Sequence, residues 1–476
     1  MIEHLICHAE DTLLDVMNII NDNAMAVSFV VDKTGVLQGV VTDGDIRRAL
    51  LNNKSLNTSV FDILSSDFIF GYFGDSSAIL IDKLNSDSEK NINIIPLVDE
   101  DLKLVDYFKL SSQSHFPVAI PNLGGNEFKY LADAFLSTWI SSTGSYIDKF
   151  ENSFSTYSDC DHGVTVSNGT VALHVALIAL GVGEGDEVII PDLTFAATIN
   201  AVLHANATPV IVDVEEESWC INPMEIEKAI TPKTKAIIPV HLYGQVCDMG
   251  AIMKLAKQYD LKVVEDCAEA HGAMYKGKKV GSFGDIGCFS FYGNKIITTG
   301  EGGMCTTNST KLNDKLRLLR DHGMSKTKRY YHEVVGYNYR LTNLQAAIGF
   351  AQLERINEIH GNRAAYENHY RKNIPDKNFN FQKDLKYRTR ITWLVALLVE
   401  NGKRDFLINK LKEHGLDARP FFYALSDMGI YKKYSNLPTP FAREISKKGL
   451  NLPTYESLKS LDQIQLIINE VFKGPL

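Results

Sequence analysis

The stretch FSFYGNK, residues 289–295, places a single lysine after a run of apolar and aromatic residues. A glycine-rich segment, residues 300–303 (GEGG), follows closely. An ammonium group resists burial unless it is paired or used chemically. A lysine whose pKa is lowered by burial is a nucleophile that can form a Schiff base with an aldehyde cofactor. Lys295 is therefore the first candidate for a catalytic residue.

An acid at the end of a predicted strand gives this lysine a chemical partner. Residues 263–266 (VVED) are typical of a buried strand, and Asp266 ends it. A lysine and an acid on neighbouring strand ends are what pyridoxal phosphate (PLP) requires, because the lysine anchors the aldehyde and the acid pairs with the pyridine nitrogen. Taken alone, a lysine is far more often a solvated surface charge. The surrounding sequence favours the catalytic interpretation of Lys295.

Length and charge exclude several classes of protein. With 476 residues the chain is too long for one ordinary core, so two or three domains are expected. The net charge of −9, without a basic stripe, argues against nucleic acid or an anionic membrane as a partner. No apolar stretch has transmembrane length, and the N-terminus is not typical of a signal peptide.

The seven cysteines are scattered singly, without a Cys-x-x-Cys pair or a local Cys/His cluster. Such a set predicts a reducing, cytoplasmic environment rather than a disulfide framework, and it predicts no metal site. For Cys267 and Cys288, which lie close to the candidate site in sequence, we favour the role of small buried hydrophobes.

The first 112 residues carry a weak internal duplication. Residues 26–32 and 36–41 predict two strands, and a helix is predicted to start at Thr42. Residues 92–99 and 102–107 repeat the pair of strands. Two copies of strand, turn, strand and helix predict a small α+β domain at 1–112, which a polar linker at 113–121 joins to the rest.

Beyond the linker, predicted strands alternate with predicted helices. Strands at 163–166, 187–190, 209–212 and 235–240 are each followed by a helical pattern. This alternation predicts an α/β fold with a mainly parallel sheet covered by helices on both faces. Ligands of such sheets bind at the carboxyl ends of the strands, where Asp266 would lie.

Two further segments at predicted strand ends have the chemistry of a binding site. Residues 167–170 (SNGT) join a strand to a helix, whose N-terminus presents free N–H groups to an anion, although helix capping explains the same residues. Phe195 follows the next strand, where it could stack on a planar ring, although such a residue is more often part of a core. The hydroxyl of Ser290 could be offered to a phosphate.

Residues 117–476 as a whole resemble the DegT/DnrJ/EryC1/StrS family of PLP-dependent sugar aminotransferases. The resemblance rests on ordered blocks with the spacing of that family: LGGNE at 123–127, WISSTG at 139–144, SNGT at 167–170, PDLTF at 191–195, EDCAEAHG at 265–272, the lysine block, and GYNYRLTN at 336–343. It implies the fold-type I aminotransferase scaffold. A large PLP-binding domain would occupy 122–360, and a smaller C-terminal α+β domain 361–476.

The same resemblance implies roles for individual residues at the cofactor. Lys295 would carry PLP, and Asp266 would pair with its pyridine nitrogen. Phe195 would stack on the ring, and Glu269 would lie beside the cofactor. The residues that hold the phosphate would be Gly169, Thr170 and Ser290.

Asn338 resembles the family residue that reaches the phosphate of the cofactor in the neighbouring subunit. This likeness implies a homodimer with shared active sites. Tyr292, His322 and Arg340 would lie near the substrate. Without the resemblance, Asn338 would be an ordinary turn residue.

Two positions point to one branch of the family. Many members have Gln where this chain has Glu269, and His where it has Tyr292, and both departures resemble the perosamine-synthase branch. That branch implies transfer of an amino group from L-glutamate to C4 of GDP-4-keto-6-deoxymannose, giving GDP-perosamine for a surface polysaccharide such as the O-antigen of lipopolysaccharide. The alternatives are a UDP- or dTDP-linked 4-ketosugar and, more remotely, a nucleotide-sensing regulatory protein with a vestigial enzyme domain.

The duplicated N-terminal segment resembles a pair of CBS modules, which often bind adenine nucleotides between their repeats. The family pattern Gly-x-x-Thr-x-x-Asp occurs once, at Gly39, Thr42 and Asp45. By this resemblance Thr42 would meet a phosphate and Asp45 a ribose. The second copy lacks both residues, so a structural or dimerising role is the favoured alternative.

Overall fold

The computed structural model describes residues 2–23, 25–64, 68–75, 79–80, 83–84, 94–109, 116–374, 379–400, 402–455 and 461–473. Two compact units divide the chain. The first comprises Met1–Phe116 and Leu411–Leu416, and the second Pro117–Lys410 and Asp417–Leu476. The division after Phe116 falls within the linker predicted at 113–121, of which residues 113–115 lie outside the described residues.

The first unit contains two small sheets with the same pattern of pairing. Its elements are β1 (Ile6–His8), α1 (Leu13–Asn23), β2 (Val27–Val31), β3 (Leu37–Thr42), α2 (Asp43–Leu51), β4 (Gly71–Tyr72), β5 (Ile94–Val98) and β6 (Leu104–Lys109). The sheet orders are β1–β2–β3 and β4–β5–β6, and in each the first pair is parallel and the second antiparallel. Residues 110–115, where a helix of the second copy would begin, lie outside the described residues.

Thr42 and Asp45 form the N-terminal cap of α2. The Thr42 hydroxyl donates to Asp45 Oδ2 at 2.6 Å, and each side chain accepts the backbone N–H of the other residue. Asp45 also pairs with Arg48. A capping box stabilises a helix start by itself. The geometry therefore gives both residues a structural role, and nucleotide binding by them stays a prediction.

The second unit is built on a seven-stranded sheet. Its strands are β7 (His162–Val166), β8 (Glu187–Pro191), β9 (Thr208–Val212), β10 (Thr234–Ile237), β11 (Lys262–Asp266), β14 (Ile286–Ser290) and β15 (Gly303–Thr307), and the hairpin β12 (Met274–Tyr275) and β13 (Lys278–Lys279) lies between β11 and β14 along the chain. The order is β7–β15–β14–β11–β10–β8–β9. All neighbours are parallel except the two pairs that β15 makes, so the mainly parallel sheet predicted from the alternation is confirmed.

Helices pack against this sheet and supply much of its core. They are α3 (Glu127–Leu136), α4 (Ser145–Tyr157), α5 (Gly169–Ala179), α6 (Ala197–His204), α7 (Pro223–Ala229), α8 (Met249–Tyr259), α9 (Thr310–Arg320), α10 (Asn343–Glu354) and α11 (Ile356–Asn373). Strand β11 is buried from its second residue onwards, as expected for a strand covered on both faces. Helix α5 is buried from Ala172 to Leu177, which is typical of a helix inside a core.

After α11 the chain forms a smaller α+β region. Its elements are β16 (Phe379–Phe381), β17 (Arg388–Thr389), β18 (Val395–Val399), α12 (Arg404–Glu413), β19 (Arg419–Pro420), α13 (Pro440–Lys448), β20 (Gly449–Leu452) and α14 (Leu461–Lys473). Four strands pair in the order β16–β18–β20–β19. The boundary predicted between residues 360 and 361 falls inside α11, which is continuous. None of the helices in the described ranges is long and apolar enough to cross a membrane.

A buried carboxylate joins three elements of the second unit. Glu151 on α4 is 2% exposed, and its Oε1 accepts hydrogen bonds from the backbone N–H and the hydroxyl of Thr165 on β7, at 2.9 and 2.8 Å. Arg320 and Arg317 of α9 pair with its two oxygens at 2.8 and 2.7 Å. The hydrogen bonds and both guanidinium groups together compensate the loss of solvent at this carboxylate.

Replacement of Glu151 by Ala should lower the free energy of unfolding by about 3–5 kcal/mol, because it leaves two arginines without their acidic partner. The control is Asp314→Ala on α9, whose carboxylate and Lys326 partner are 58% and 64% exposed, and which should leave the stability nearly unchanged. Urea denaturation followed by circular dichroism measures both variants. Equal losses of stability would contradict the role given to Glu151.

Candidate active site

The carboxyl ends of four parallel strands meet at one edge of the large sheet. Strand β7 ends at Val166, β8 at Pro191, β11 at Asp266 and β14 at Ser290. Strand β15 runs in the opposite direction, and its first residue, Gly303, is in register with both Val166 and Ser290. Residues from distant parts of the sequence therefore converge at this edge.

Lys295 lies in the loop after β14, with its side chain 12% exposed. Its Nζ lies 4.0 Å from the centre of the Trp393 ring and 3.6 Å from Oε1 of Glu269. Burial lowers the pKa of Lys295, although Glu269 and Asp266 oppose this shift. The neutral amine is the nucleophilic and basic form of lysine, and burial favours this form of Lys295.

A buried arginine holds the backbone of Lys295 in place. Arg363 on α11 is 1% exposed, and its guanidinium donates to the carbonyl oxygen of Lys295 at 3.1 Å and to that of Trp393. The indole N–H of Trp393 in turn donates to the carbonyl oxygen of Asn294 at 2.7 Å. The lysine loop and the aromatic face beside Nζ are thus fixed to each other.

Asp266 ends β11 with a buried carboxylate. Its Oδ2 accepts a hydrogen bond from the Thr198 hydroxyl at 2.9 Å, and its Oδ1 accepts one from the N–H of Ala268 at 3.2 Å. Burial raises the pKa of Asp266, whereas the hydrogen bonds from Thr198 and Ala268 lower it. A cation bound nearby would favour the charged carboxylate further. The site therefore offers an oriented acid to a positively charged partner.

Glu269 is a second buried carboxyl group at this site. Its Oε2 accepts the backbone N–H of Tyr243 at 2.9 Å, while Oε1 faces Lys295. Burial raises the pKa of Glu269 to about 7, against the opposing influence of Lys295. An acid with such a pKa can exist in either protonation state near neutral pH.

The donor to Glu269 has an unusual backbone conformation. Tyr243, in the short 3-10 helix Leu242–Gly244, has φ 51° and ψ 30°, a left-handed conformation that is uncommon for a bulky residue. Gly244 has φ +86°, and a Cβ atom there would lie 2.1 Å from the carbonyl oxygen of Ile391. The buried Tyr243 ring is nearly parallel to that of Trp393, at 5.9 Å between centres. Packing thus holds the turn that directs the Tyr243 N–H toward Glu269.

The start of α5 lies close to Ser290 at the end of β14. Asn168 caps α5 by accepting the N–H of Val171 at 3.0 Å, whereas the N–H groups of Gly169 and Thr170 precede the first intrahelical bond and are available to a ligand. A Cβ atom at residue 169 would lie 2.7 Å from Cβ of Ser290. The close approach of the helix to Ser290 therefore requires glycine at this position.

Two aromatic residues near the strand ends are exposed. Phe195, after β8, is 58% exposed and packs against Phe422 at 5.5 Å between ring centres. Tyr292 is 50% exposed, and its carbonyl oxygen accepts the N–H of Lys295 at 2.9 Å. Both rings have surface available to a ligand at this edge of the sheet.

Asn338 and Arg340 belong to a loop region that contacts the same edge. The N–H of Ser167, directly after β7, donates to the carbonyl oxygen of Tyr339 at 2.9 Å. Arg340 donates to Oδ1 of Asn338 at 3.1 Å and to Oδ1 of Asp321 at 2.7 Å. Arg340 therefore fixes the orientation of the Asn338 amide.

The described residues that contact Lys295 do not include three residues predicted to bind a substrate or a nucleotide, namely His322, Thr42 and Asp45. His322 has φ 56°, and its backbone N–H donates to the carbonyl oxygen of Tyr337 at 2.8 Å. In the described part of the chain, no hydrogen bond, ion pair or ring contact links the His322 side chain to Lys295. Thr42 and Asp45 belong to the first unit. The substrate role of His322 stays a prediction.

Thr198, Tyr243, Arg363 and Trp393 belong to the site but were not predicted from the sequence. Thr198 follows Phe195 by one helical turn, and a hydroxyl so close to a predicted strand end could have suggested it. The other three carry no such signal, because an isolated Tyr, Arg or Trp in a sequence has the pattern of any core or surface residue. Their roles follow only from the packing.

Three potential metal ligands also lie close together. His241, Glu265 and Cys267 are buried, and their ligand atoms lie within 4.8 Å of one another. Nδ1 of His241 accepts the N–H of Cys247 at 3.2 Å, which leaves the ring proton on Nε2, 3.2 Å from Glu265. The Glu265 carboxylate also accepts backbone N–H groups at 2.9, 2.8 and 2.8 Å, from Gly281, Phe283 and Gly284. These contacts join His241 and Glu265 in a buried hydrogen-bond network with the surrounding backbone.

Two family profiles match separate segments of this chain. The profile of the DegT/DnrJ/EryC1/StrS aminotransferase family matches residues 121–472, and that of the CBS domain matches residues 1–52. GDP-perosamine synthase from Escherichia coli O157:H7 is 46% identical over 362 residues, which cover 75% of this chain and 99% of that protein. The CBS match covers the first of the two predicted N-terminal copies.

Solved structures share the architecture of the second unit. An aminotransferase from Psychrobacter cryohalolentis has a TM-score of 0.68 and 33% sequence identity, over 75% of this chain and 98% of that chain. The PLP form of Spr1654 from Streptococcus pneumoniae, described as a sugar aminotransferase, has a TM-score of 0.70 and 27% identity, over 76% and 99% of the two chains.

The cofactor indicated by these relatives is PLP, and the residues present fit it. The N–H groups of Gly169 and Thr170 and the hydroxyl of Ser290 are donors suited to a phosphate, in a space that a Cβ atom at residue 169 would fill. Asp266 offers a buried carboxylate to a protonated pyridine nitrogen, and Lys295 offers a largely buried amine to an aldehyde.

Substitution of Gly169 by Ala should weaken PLP binding by about tenfold or more, because the added methyl group overlaps Ser290 beside the phosphate donors. Titration of the apoenzyme with PLP, followed by absorbance, measures the affinity. The control is Gly361→Ala, where an added Cβ meets no atom within 4 Å and where native affinity is expected. Native affinity in Gly169→Ala would argue against phosphate binding at this helix start.

Proposed function

Because this chain belongs to the DegT/DnrJ/EryC1/StrS aminotransferase family and is a PLP-dependent sugar aminotransferase, we propose that its substrate is GDP-4-keto-6-deoxymannose. L-glutamate would donate the amino group to C4, giving GDP-perosamine for a surface polysaccharide such as an O-antigen. The observation that carries this proposal is the high identity to GDP-perosamine synthase over nearly the whole of that protein. A UDP- or dTDP-linked 4-ketosugar is the alternative substrate.

Lys295 is the residue that moves protons in this reaction. When bound, PLP supplies an electron sink that stabilises negative charge on the carbon from which a proton is removed. The amine of Lys295 is kept ready by burial, which lowers its pKa and favours the neutral form. Nζ would remove the proton from the α-carbon of glutamate as a general base and would then act as the general acid for the second proton transfer. With the ketosugar as acceptor, the same atom works in the reverse direction.

Asp266 and Trp393 set the conditions for this transfer. The carboxylate of Asp266, oriented by Thr198 and Ala268, would hold the proton on the pyridine nitrogen and so maintain the electron sink. The ring of Trp393 lies against Nζ and excludes water from that side of the amine. Phe195, exposed at the end of β8, is positioned to stack on a planar ring.

We also propose that the enzyme is a homodimer with shared active sites. Because Oδ1 of Asn338 accepts a hydrogen bond from Arg340, the NH₂ group of the amide remains a donor for the phosphate bound by the partner subunit. Exposed apolar side chains on α3 support a partner surface, with Phe128, Phe135 and Leu136 exposed at 81%, 63% and 78%. Large exposed apolar surfaces mark interaction sites.

A cytoplasmic location agrees with the chemistry of the thiols. All seven cysteines are free and buried. Thiols persist in this form in a reducing compartment. We therefore propose that the reaction takes place in the cytoplasm.

The substrate proposal predicts a higher kcat/KM for GDP-4-keto-6-deoxymannose than for UDP- or dTDP-linked 4-ketosugars, each offered with L-glutamate and PLP. Mass spectrometry of the amino sugar and release of 2-oxoglutarate measure turnover. Lys295→Ala should lower kcat by at least about 10²–10⁴-fold, since it removes the acid–base group. Lys311→Ala, at an exposed position of α9, is the control and should retain native turnover. A higher kcat/KM with another nucleotide would reassign the substrate.

Mixing two variants tests the shared site. Lys295→Ala lacks the amine, and Asn338→Asp places a carboxylate where the proposed dimer needs a donor to phosphate. Each variant alone should be nearly inactive. A mixed dimer, purified through two different tags, contains one site with an intact Lys295 and the partner's intact Asn338, so activity should return. Absence of recovery in the mixed dimer would contradict the shared site.

A further inference from the structure

Glu269 and Lys295 form an acid–base pair that is largely removed from water. Their side chains are 6% and 12% exposed, and Nζ lies 3.6 Å from Oε1. The other carboxylate oxygen, Oε2, is occupied by the backbone N–H of Tyr243 at 2.9 Å. Since the packed left-handed turn at Tyr243 holds this oxygen, Oε1 stays directed toward the amine.

Burial makes the pKa values of Glu269 and Lys295 more similar to each other. Burial raises the pKa of Glu269 to about 7, and burial lowers the pKa of Lys295. Loss of solvent thus opposes the charged form of both partners, whereas their mutual attraction favours it. The neutral pair of amine and carboxylic acid therefore competes with the ion pair.

Among the described residues, the titratable groups that interact with this pair include Asp266, His271 and Tyr243, and the guanidinium of Arg363 contacts the backbone of Lys295. Asp266 is the other acid that acts on both groups, and burial raises its pKa as well. His271 is neutral because burial lowers its pKa to about 3. The phenol of Tyr243 is neutral because burial raises its pKa well above the usual value. Among these groups, Glu269 has the oxygen that faces Nζ.

We propose that Glu269 is a further catalytic residue, which exchanges a proton with the nitrogen atom of Lys295. In this step an N–H bond of the ammonium breaks and an O–H bond forms at Oε1. The products are a neutral amine and a neutral carboxylic acid, and the total charge of the pair does not change. Lys295 thereby gains the lone pair that its chemistry needs, and the proton remains within the site.

The carboxylate of Glu269 also acts on the nitrogen of Lys295 in the enzyme with bound PLP. A carboxylate beside the nitrogen of Lys295 stabilises the protonated form of that nitrogen and raises its pKa. The protonation state of this nitrogen determines the visible absorption of the cofactor. The inference rests on PLP bound at Lys295 and is independent of which nucleotide sugar the enzyme uses.

A pH titration of the visible absorption band of the holoenzyme tests the proposal without any substrate. In Glu269→Gln the midpoint should fall by about one to three pH units, because an opposite charge close to the nitrogen is lost. The amide keeps the size of the side chain and an oxygen to accept the Tyr243 N–H. In Glu269→Asp, which keeps the charge at a greater distance, the midpoint should lie between those of the other two proteins.

The control for folding is the thermal unfolding midpoint of each variant, together with its PLP content. The proposal is overturned if Glu269→Gln binds PLP with native stability and its absorption midpoint is unchanged or higher. If Glu269→Gln does not retain PLP, the titration of Glu269→Asp decides, and a native midpoint there overturns the proposal. The titration contains no sugar, so a failure of the GDP-sugar assay would not affect its interpretation. The substrate proposal and the proposal for Glu269 can therefore fail separately.

Discussion

The desolvation of the Lys295 amine is the constraint on which the site depends. An ammonium group loses much of its hydration when only a small part of the side chain reaches water, and this loss lowers the pKa of Lys295. The arrangement is stable because the guanidinium of Arg363 holds the lysine loop through a carbonyl oxygen and Trp393 shields the amine. The neighbouring acids Glu269 and Asp266 oppose this shift and raise the pKa of Lys295 again.

The sheet provides the rigid frame that this constraint requires. Strands β7, β8, β11 and β14 end at one edge. Residues at these ends, or in the segments that follow them, supply the start of α5, the exposed ring of Phe195, the acids Asp266 and Glu269, and Lys295. The buried network around Glu151 joins β7 to two helices, so the frame is connected by charge as well as by apolar packing. A site spread over four strand ends can keep its geometry only when the sheet does not shift.

Part of the site could be predicted because short stretches of the sequence contain its chemical groups in a recognisable pattern. Lys295 and Asp266 are recognisable as an isolated lysine and an acid next to apolar strand patterns, and parallel strands bring such ends together. Gly169 and Thr170 are recognisable because a strand and a helix meet there. Tyr243 was missed because its contribution is a backbone N–H in a left-handed turn, which depends on conformation rather than on side-chain type.

By itself the sequence determined the alternation of strands and helices, the family and the cofactor, and it predicted Lys295 as the residue that would carry this cofactor, since each is encoded in short stretches of residue types. Only the tertiary structure decided which groups surround the lysine. Arg363 and Trp393 are far from Lys295 along the chain, and their hydrogen bonds exist only because α11 and the C-terminal region pack against the lysine loop. The raised pKa of Glu269 has the same origin, because burial is a property of the assembled core.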